Sequence, residues 1–551
     1  MDNIRVFLWL TLFGALWLAY SAWVADYPAP AAVQAQTSNG LTPAEDPAPL
    51  GATLPDLDPA AEQAPPLPVA ARPSGELVHI RTDVLDVLID SQGADLVRAD
   101  LLQYPVDKRS PDKLVRLLDN NATDRWVFQS GLRSAVGGTE PNHLATFRSA
   151  SNDYTLAAGQ NELVVTFDWV GDGTLSARKT YTFRRGEYGV DLALSVQPAA
   201  GGSWRGAPYV QMMRVHRPVA RSYFSVDSYS FTGPVLYDGD QYEKLDVEDL
   251  AQTPITQTLN GGWFAAIQHH FLAAAVPPAA DEFRYDATVR GQEFLLSAIG
   301  PIADVTAATP LNYSFKLFVG PKLQAQLANI GEELDLTVDY GVLTVLAQPL
   351  FWLLSKVEIW VNNWGWAIIL VTLLIKLAFY KLTQTSGRSM AKMRRLAPRM
   401  KALQERFKDD RQGLSQAMME LYKREKINPA AGCLPILIQM PFFFSFYWVL
   451  VESVEMRQAP FMLWINDLSA RDPYFVLPLL MGVAMFFQTR MSPAPPDPMQ
   501  ARVMQIMPIV FTGMFLFFPA GLVLYWLTNT ALSILQQWRI NKIVAQEATG
   551  T

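Results

Sequence analysis

Hydrophobic and polar positions follow two different rhythms along this chain. From Glu76 to about Lys322 they alternate in short runs, such as Leu163 to Val170, Lys179 to Arg184, Val190 to Val196 and Asn312 to Val319, separated by Gly, Asn, Asp and Pro. A period of two sends successive side chains to opposite faces, so this stretch predicts the short strands of a β-sandwich-like domain. Further on, the apolar residues gather into long runs: Ile359 to Leu382, Cys433 to Val451, Tyr474 to Thr489, Val503 to Phe518 and Ala520 to Trp538. An earlier run, Val6 to Ala25, follows Arg5. A bilayer core takes about 20 apolar residues of helix, so the six runs predict six transmembrane helices. A cleavable signal peptide is the rival for the first, with Ala19-Tyr20-Ser21 as its small-residue site, but so long an apolar run favours a retained anchor.

These rhythms divide the chain into an anchor (1–25), a tether (26–75) and a β-domain (76–336), followed by an interfacial amphipathic segment (337–358). The remainder divides into TM2 (359–382), a helical hairpin (383–432), TM3 (433–452), a loop (453–473), TM4 (474–489), a loop (490–502), TM5 (503–519), TM6 (520–538) and a tail (539–551). Prolines interleaved with Ala forbid helix and sheet in the tether and favour extended, solvated backbone. Pro519-Ala520-Gly521 splits the last long apolar stretch into two spans. In the hairpin, Met390, Met393, Leu396, Met400, Leu403 and Phe407, then Leu414, Met418, Leu421 and Tyr422, recur at helical spacing. A solvated charged linker beside anionic lipid is the plainer reading of that segment.

Charge orients these pieces. Asp26 to Tyr340 carries 23 Lys/Arg against 39 Asp/Glu, and the rest of the chain carries 22 against 13, so the overall −7 averages an acidic body and a basic, apolar one. Basic residues flank spans on the cytoplasmic side. Arg388 to Lys426 has 12 basic and 5 acidic residues, whereas Glu452 to Pro473 has only Arg457 and Arg471 as basic residues. This bias predicts a cytoplasmic N-terminus and hairpin, with the acidic domain outside. One cysteine, Cys433, rules out an intrachain disulfide and leaves no lipid-attachment cysteine after the first apolar run.

Compact catalytic signatures are missing. The chain has no Gly-x-x-x-x-Gly-Lys-Ser/Thr loop, no His-Glu-x-x-His pair and no Gly-x-Ser-x-Gly turn, so neither an enzyme nor a cofactor is expected. All five histidines fall in the outer domain, and His269 and His270, as neighbours in a strand, would point to opposite faces in a structural role. Inside TM2, however, stands Lys376, about 18 Å along the helix from Trp364. A mid-span lysine costs about 2.5–3.5 kcal/mol on insertion scales, so it faces water or a polar partner, or else snorkels to the interface. Thr372, Lys376 and Tyr380 share a face at four-residue spacing. Gln439 and Ser445 in TM3, and Thr528, Asn529, Thr530, Ser533, Gln536 and Gln537 in TM6, add amides and hydroxyls. Interhelical hydrogen bonding explains each singly; with Lys376 they would line a polar cavity on the cytoplasmic side.

Several segments, in one order, resemble a known family: Asn428-Pro429-Ala430-Ala431-Gly432-Cys433-Leu434-Pro435 through Gln439-Met440-Pro441, Arg457-Gln458-Ala459-Pro460-Phe461, Asp467-Leu468-Ser469-Ala470-Arg471-Asp472-Pro473-Tyr474, Asp497-Pro498-Met499-Gln500, and Phe518-Pro519-Ala520-Gly521-Leu522-Val523-Leu524-Tyr525. The stretch from about 340 to 540 is similar to the YidC/Oxa/Alb insertases, and the anchor, tether and outer β-domain resemble the Gram-negative YidC branch.

The resemblance implies a multi-span α-helical membrane protein with six transmembrane helices, five of them an insertase core, and a large periplasmic β-supersandwich domain. It implies a hydrophilic groove open to the cytoplasm and to lipid, with substrate-groove residues Lys376, Thr372, Tyr380, Gln439, Phe443, Tyr525, Trp526, Asn529 and Ser533. Relatives typically carry Arg where Lys376 stands; Lys keeps the charge but loses the planar fork. Thr372 and Trp526 occupy positions that touch substrate, and Phe443 lies toward the lateral opening. Lys381 replaces a frequent Pro. The implied partners are nascent inner-membrane proteins, the Sec translocon, the ribosome or targeting machinery at the cytoplasmic hairpin, and the lipid bilayer, with no nucleic-acid specificity and no cofactor. A solute transporter and an assembly scaffold are the alternatives. A transporter's internal repeats are not seen among the C-terminal spans.

Overall fold

The computed structural model describes residues 54–57, 75–138, 140–171, 173–217, 230–407, 410–425, 434–491 and 498–549. The expected anchor and most of the expected tether lie outside them. Alternation in the β-region becomes two packed sheets, one of eleven strands and one of nine. Strand Leu175–Arg184 shows how the pattern works. Leu175, Ala177, Tyr181 and Phe183 turn inward with Lys179 between them, and the next strand, Gly189–Pro198, turns Val190, Leu192, Leu194 and Val196 to the same side. Strand Ser203–Val215 lies inside the larger sheet, between Trp126–Ser134 and Glu293–Ile299, and is buried along most of its length on both faces.

Lys179 occupies an inward slot of this alternation. Its ammonium donates to the Ser130 carbonyl at 2.7 Å and to Ser130 Oγ at 2.9 Å, with the Asp95 carboxylate 3.8 Å away. Burial lowers its pKa to about 8 against the pull of Asp95.

One short helix, α1 (Val247–Gln252), interrupts the strands, and the others follow them: α2 (Gln324–Ile330), α3 (Thr344–Val361), α4 (Trp364–Ala378), α5 (Tyr380–Arg406), α6 (Arg411–Arg424), α7 (Leu434–Glu452), α8 (Val476–Met491), α9 (Pro498–Phe515) and α10 (Ala520–Thr549). The run expected as one span, Ile359 to Leu382, is divided among three of them. Asn362 takes a left-handed conformation (φ 52°) that ends α3, and the Asn363 side chain accepts from Trp366 N at 3.1 Å to start α4. At Phe379 the chain bends by 66° between α4 and α5. Among the described residues, Gly341–Val361 is the single unbroken helix long and apolar enough to cross a bilayer, and the bent pair Trp364–Ala378 with Tyr380–Ser389 passes the same test together. In α3, Ala347, Leu350, Phe351 and Leu354 form the buried stripe, while Val345, Trp352, Ile359 and Trp360 are exposed.

Pro519 lies between α9 and α10, and Gly521 stands in the first turn of α10. A side chain at Gly521 would meet Leu450 Cδ2 at 2.8 Å and the Leu468 carbonyl at 3.1 Å, so only glycine allows this approach. The hairpin closes through Leu396, Met400, Met418 and Leu421, and Asp410 caps α6 by accepting from Gly413 N at 2.9 Å.

One hydrophobic core runs from the sheets into the helices, and a polar seam crosses the junction. Lys322, at the end of the last strand, donates to Glu452 Oε2 at the end of α7 (2.9 Å) and to the Thr337 carbonyl (3.1 Å). Around it, Tyr340 OH bonds Ser453 Oγ at 3.2 Å, Arg457 Nη2 donates to the Pro105 carbonyl at 3.0 Å, and Lys108 Nζ donates to the Asn466 carbonyl at 2.6 Å. The two histidines depart from the strand expectation. His269 sits at positive φ (51°) in the turn between Trp263–Gln268 and Phe271–Val276, so its ring stacks on that of His270 at 3.6 Å instead of pointing away. Its Nε2 donates to the Val451 carbonyl at 3.0 Å, which makes the role structural and ties the turn to α7.

Lys322 and Glu452 are 2% and 5% exposed, so removing one partner strands a buried charge. Lys322→Met and Glu452→Gln are each expected to destabilise the protein by about 3 kcal/mol, and the double Lys322→Met/Glu452→Leu variant by clearly less; thermal unfolding in detergent reads both. Glu455 offers a second test. Burial beside Tyr104 and Tyr340 lifts its carboxyl pKa to about 7, against the opposing pull of the Lys322 ammonium. The folded state therefore holds this proton where the unfolded state has released it, and the stability present below about pH 4.5 is lost as pH rises towards 7. Glu455→Gln should be more stable than the parent at pH 8, by on the order of 2 kcal/mol, with the gap closing by pH 4.5.

Candidate functional site

The helix packing forms an open-mouthed cavity between α4, α5, α7 and α10. Thr372, Ile375 and Lys376 reach it from α4, Ile438, Gln439 and Phe442 from α7, and Tyr525 and Asn529 from α10. Phe379 marks the bend, and α5 adds Leu382, Thr383 and Ser386. Each apolar helix thus keeps its lipid-compatible faces and turns one or two polar positions inward.

Hydrogen bonds order the polar groups. Lys376 Nζ donates to Ser533 Oγ at 2.7 Å, and that hydroxyl donates in turn to the Asn529 carbonyl one helical turn back, also at 2.7 Å. Gln439 Nε2 donates to Asn529 Oδ1 at 3.1 Å, so α10 is tied to both α4 and α7. Thr372 is buried and turns its hydroxyl onto the Ile368 carbonyl at 2.6 Å. Among the described residues no acidic side chain pairs with Lys376. The cavity therefore contains a cation whose hydrogen-bond partner is a neutral hydroxyl.

The site residues expected from sequence separate into three groups. Thr372, Lys376, Gln439, Tyr525 and Asn529 line the cavity, and Ser533 reaches it through Lys376. Phe443 and Trp526 stand off it, edge to face at 4.8 Å, in an aromatic cluster with Phe511 and Phe515. Tyr525 stacks on Phe446 at 4.2 Å. Tyr380 does not join the expected stripe. Four-residue spacing aligns side chains only within one helix, and the bend at Phe379 restarts the phase, so Phe379 takes the lining position. Thr383 and Ser386 line the cavity without a signal in the sequence: both lie beyond Leu382, the expected end of the apolar run, and the bend breaks the helical spacing that would relate them to Lys376. No group of three or more His, Cys, Asp or Glu among the described residues could hold a metal.

Family models and sequence relatives agree on one family. The model for the YidC periplasmic domain matches residues 77–353, and that for the 60Kd inner membrane protein matches residues 356–547. Membrane protein insertase YidC of Thioalkalivibrio sulfidiphilus (strain HL-EbGR7) is 46% identical over 558 residues, covering 98% of both chains. The protein of that name from Methylococcus capsulatus (strain ATCC 33009 / NCIMB 11132 / Bath) is 46% identical over 545 residues, again covering 98% of both. A solved structure of an active YidC insertase with the first transmembrane domain resolved has 18% identity and a TM-score of 0.37, over 84% of this chain and 92% of that one. These relatives insert proteins and are not enzymes, and the chain belongs with them to the YidC family of membrane protein insertases, inner-membrane proteins with a β-rich periplasmic domain.

Proposed function

We propose that this insertase works through the cavity around Lys376, used as a hydrophilic groove open to the cytoplasm. The observation that carries the reading is the Lys376 ammonium, held by Ser533 Oγ at 2.7 Å in a cavity lined by Thr372, Gln439 and Asn529 among apolar side chains, and paired with no acid among the described residues. A carboxylate on a client's translocating segment outbids a neutral hydroxyl for that ammonium, because a charge-assisted bond is roughly twice as strong as a neutral one. The groove then holds the hydrophilic segment partway across while the client's apolar helix moves into lipid. Burial at about 25 cal/mol per Å² can drive that last step without nucleotide. Thr372, Gln439, Tyr525, Asn529 and Ser533 form the groove, Phe443 and Trp526 its lipid-side flank, and Tyr380 belongs to the hairpin side of the bend.

The working topology is six spans with a cytoplasmic N-terminus and hairpin, with the segment boundaries expected from sequence adjusted to the observed helix ends. The excess of basic residues in Arg388 to Lys426 over the outer loop supports it. Contact of the periplasmic domain with the Sec translocon, and of the hairpin with the ribosome or targeting machinery, extends the same reading.

Reconstitution into sealed liposomes without nucleotide tests the core of it, by protease protection of a single-span client with an acidic translocated end. Protection above that of empty liposomes is expected; none, beside a working control insertase, leaves a translocon-dependent chaperone or scaffold. Lys376→Glu should lower insertion of the acidic client by about tenfold or more and Lys376→Arg should retain it, since a single charge contact in a site of reduced dielectric is worth a kcal/mol or more. Equal insertion by Lys376→Glu at matched protein level would contradict the groove charge.

A further inference from the structure

The cytoplasmic hairpin is expected to meet partners, yet its first helix also forms a wall of the cavity. Beyond the bend at Phe379, α5 contributes Leu382, Thr383 and Ser386 to the lining. Ser386 is only 3% exposed, although it lies in the polar helix that follows α4. The next residue accounts for this. A Cβ at Gly387 would meet Ile540 Cδ1 at 2.7 Å and Gln537 Oε1 at 3.3 Å, so α5 lies close against α10 and a side chain there would have to push those side-chain ends aside. Glycine inside a helix costs about 1 kcal/mol relative to alanine, and close approach to a second helix is a physical reason for it. Ile540 is itself 1% exposed, so little space is left for it to yield.

We infer that Thr383 and Ser386 form a second, uncharged subsite at the cytoplasmic end of the groove, which receives the hydrophilic backbone of a translocating segment and is held in place by the contact of Gly387 with Ile540 and Gln537. Thr383 Oγ1 donates to the Phe379 carbonyl at 3.0 Å, so its proton is engaged while its lone pairs stay available to a peptide N–H. Lys376 selects for negative charge, whereas these hydroxyls match amides and hydroxyls of any sequence. Because they ride on α5 across the bend, anything that shifts the hairpin's first helix also shifts the subsite.

This inference rests on the groove reading, and one set of proteoliposomes separates the two. Three single-span clients are compared by protease protection: one with an acidic translocated end, one with an uncharged Ser/Asn-rich end of equal length, and one with an end of only a few residues. The full-length Thr383→Val/Ser386→Ala variant is expected to insert both polar-ended clients about three- to tenfold less well, the loss that follows from removing one or two hydrogen-bonding groups, with the short-ended client unchanged. Gly387→Leu is expected to give the same pattern with the hydroxyls intact, while Thr385→Leu, on an exposed position of α5, leaves all three clients unchanged. If Gly387→Leu does not fold, the double variant decides. Parental insertion of both polar-ended clients by the double variant overturns the inference, as does an equal loss of all three, which would mark a merely structural role. The groove reading fails separately, if Lys376→Gln inserts the acidic client at the parental level.

Discussion

An ammonium group inside a bundle of apolar helices constrains everything around it. Lys376 cannot be left facing hydrocarbon, since a charge there costs several kcal/mol unless water or polar groups attend it. The structure answers with hydroxyls and amides brought from three helices: Ser533 and Asn529 from α10, Gln439 from α7 and Thr372 from α4. None of these partners is charged. The polar groups are thus satisfied well enough to keep the bundle together, while the cation stays able to exchange its hydroxyl for a stronger acceptor. Such a balance suits the proposed groove, since a buried lysine–carboxylate pair within the chain would already have occupied the site.

The opposite arrangement appears at the junction with the periplasmic domain. There Lys322 meets Glu452 directly at 2.9 Å, both side chains are buried, and backbone carbonyls of Thr337, Val451, Pro105 and Asn466 accept further bonds from the seam. A pair of this kind contributes geometry more than stability, because desolvation offsets most of its attraction. It fixes the last strand of the β-domain against the end of α7. A charge paired with an acid thus sits where the β-domain meets the helices, and one without an acidic partner among the described residues sits in the proposed groove.

Much of this was legible in the sequence because it follows from periodicity. Alternation at Leu175 to Phe183 and Val190 to Val196 dictates strands whatever their neighbours, and the helical recurrence of Leu396, Met400, Met418 and Leu421 dictates the hairpin contact. Lys376 stood out for a similar reason, being a charge within an apolar run. Pattern reading failed wherever the helix phase was interrupted. The breaks at Asn362 and Phe379 lie within one continuous apolar run, so spacing alone puts Tyr380 on a face it does not share and leaves Thr383 and Ser386 unmarked. The turn at His269 is the β-sheet counterpart: a positive φ reversed the expected alternation and stacked two rings.

Sequence by itself determined the classes of element, the segregation of acidic and basic halves, the family and the lone charge in a span, because each is set by composition or by spacing along one chain. Tertiary structure alone decided which polar groups meet Lys376, that the hairpin's first helix forms part of the cavity wall, and that Lys322 pairs with Glu452. Those pairings join residues 130 to 157 positions apart, and no local propensity specifies such contacts. They depend on helix crossing, on a 66° bend and on the close approach that a glycine permits, all of which arise only when the helices pack.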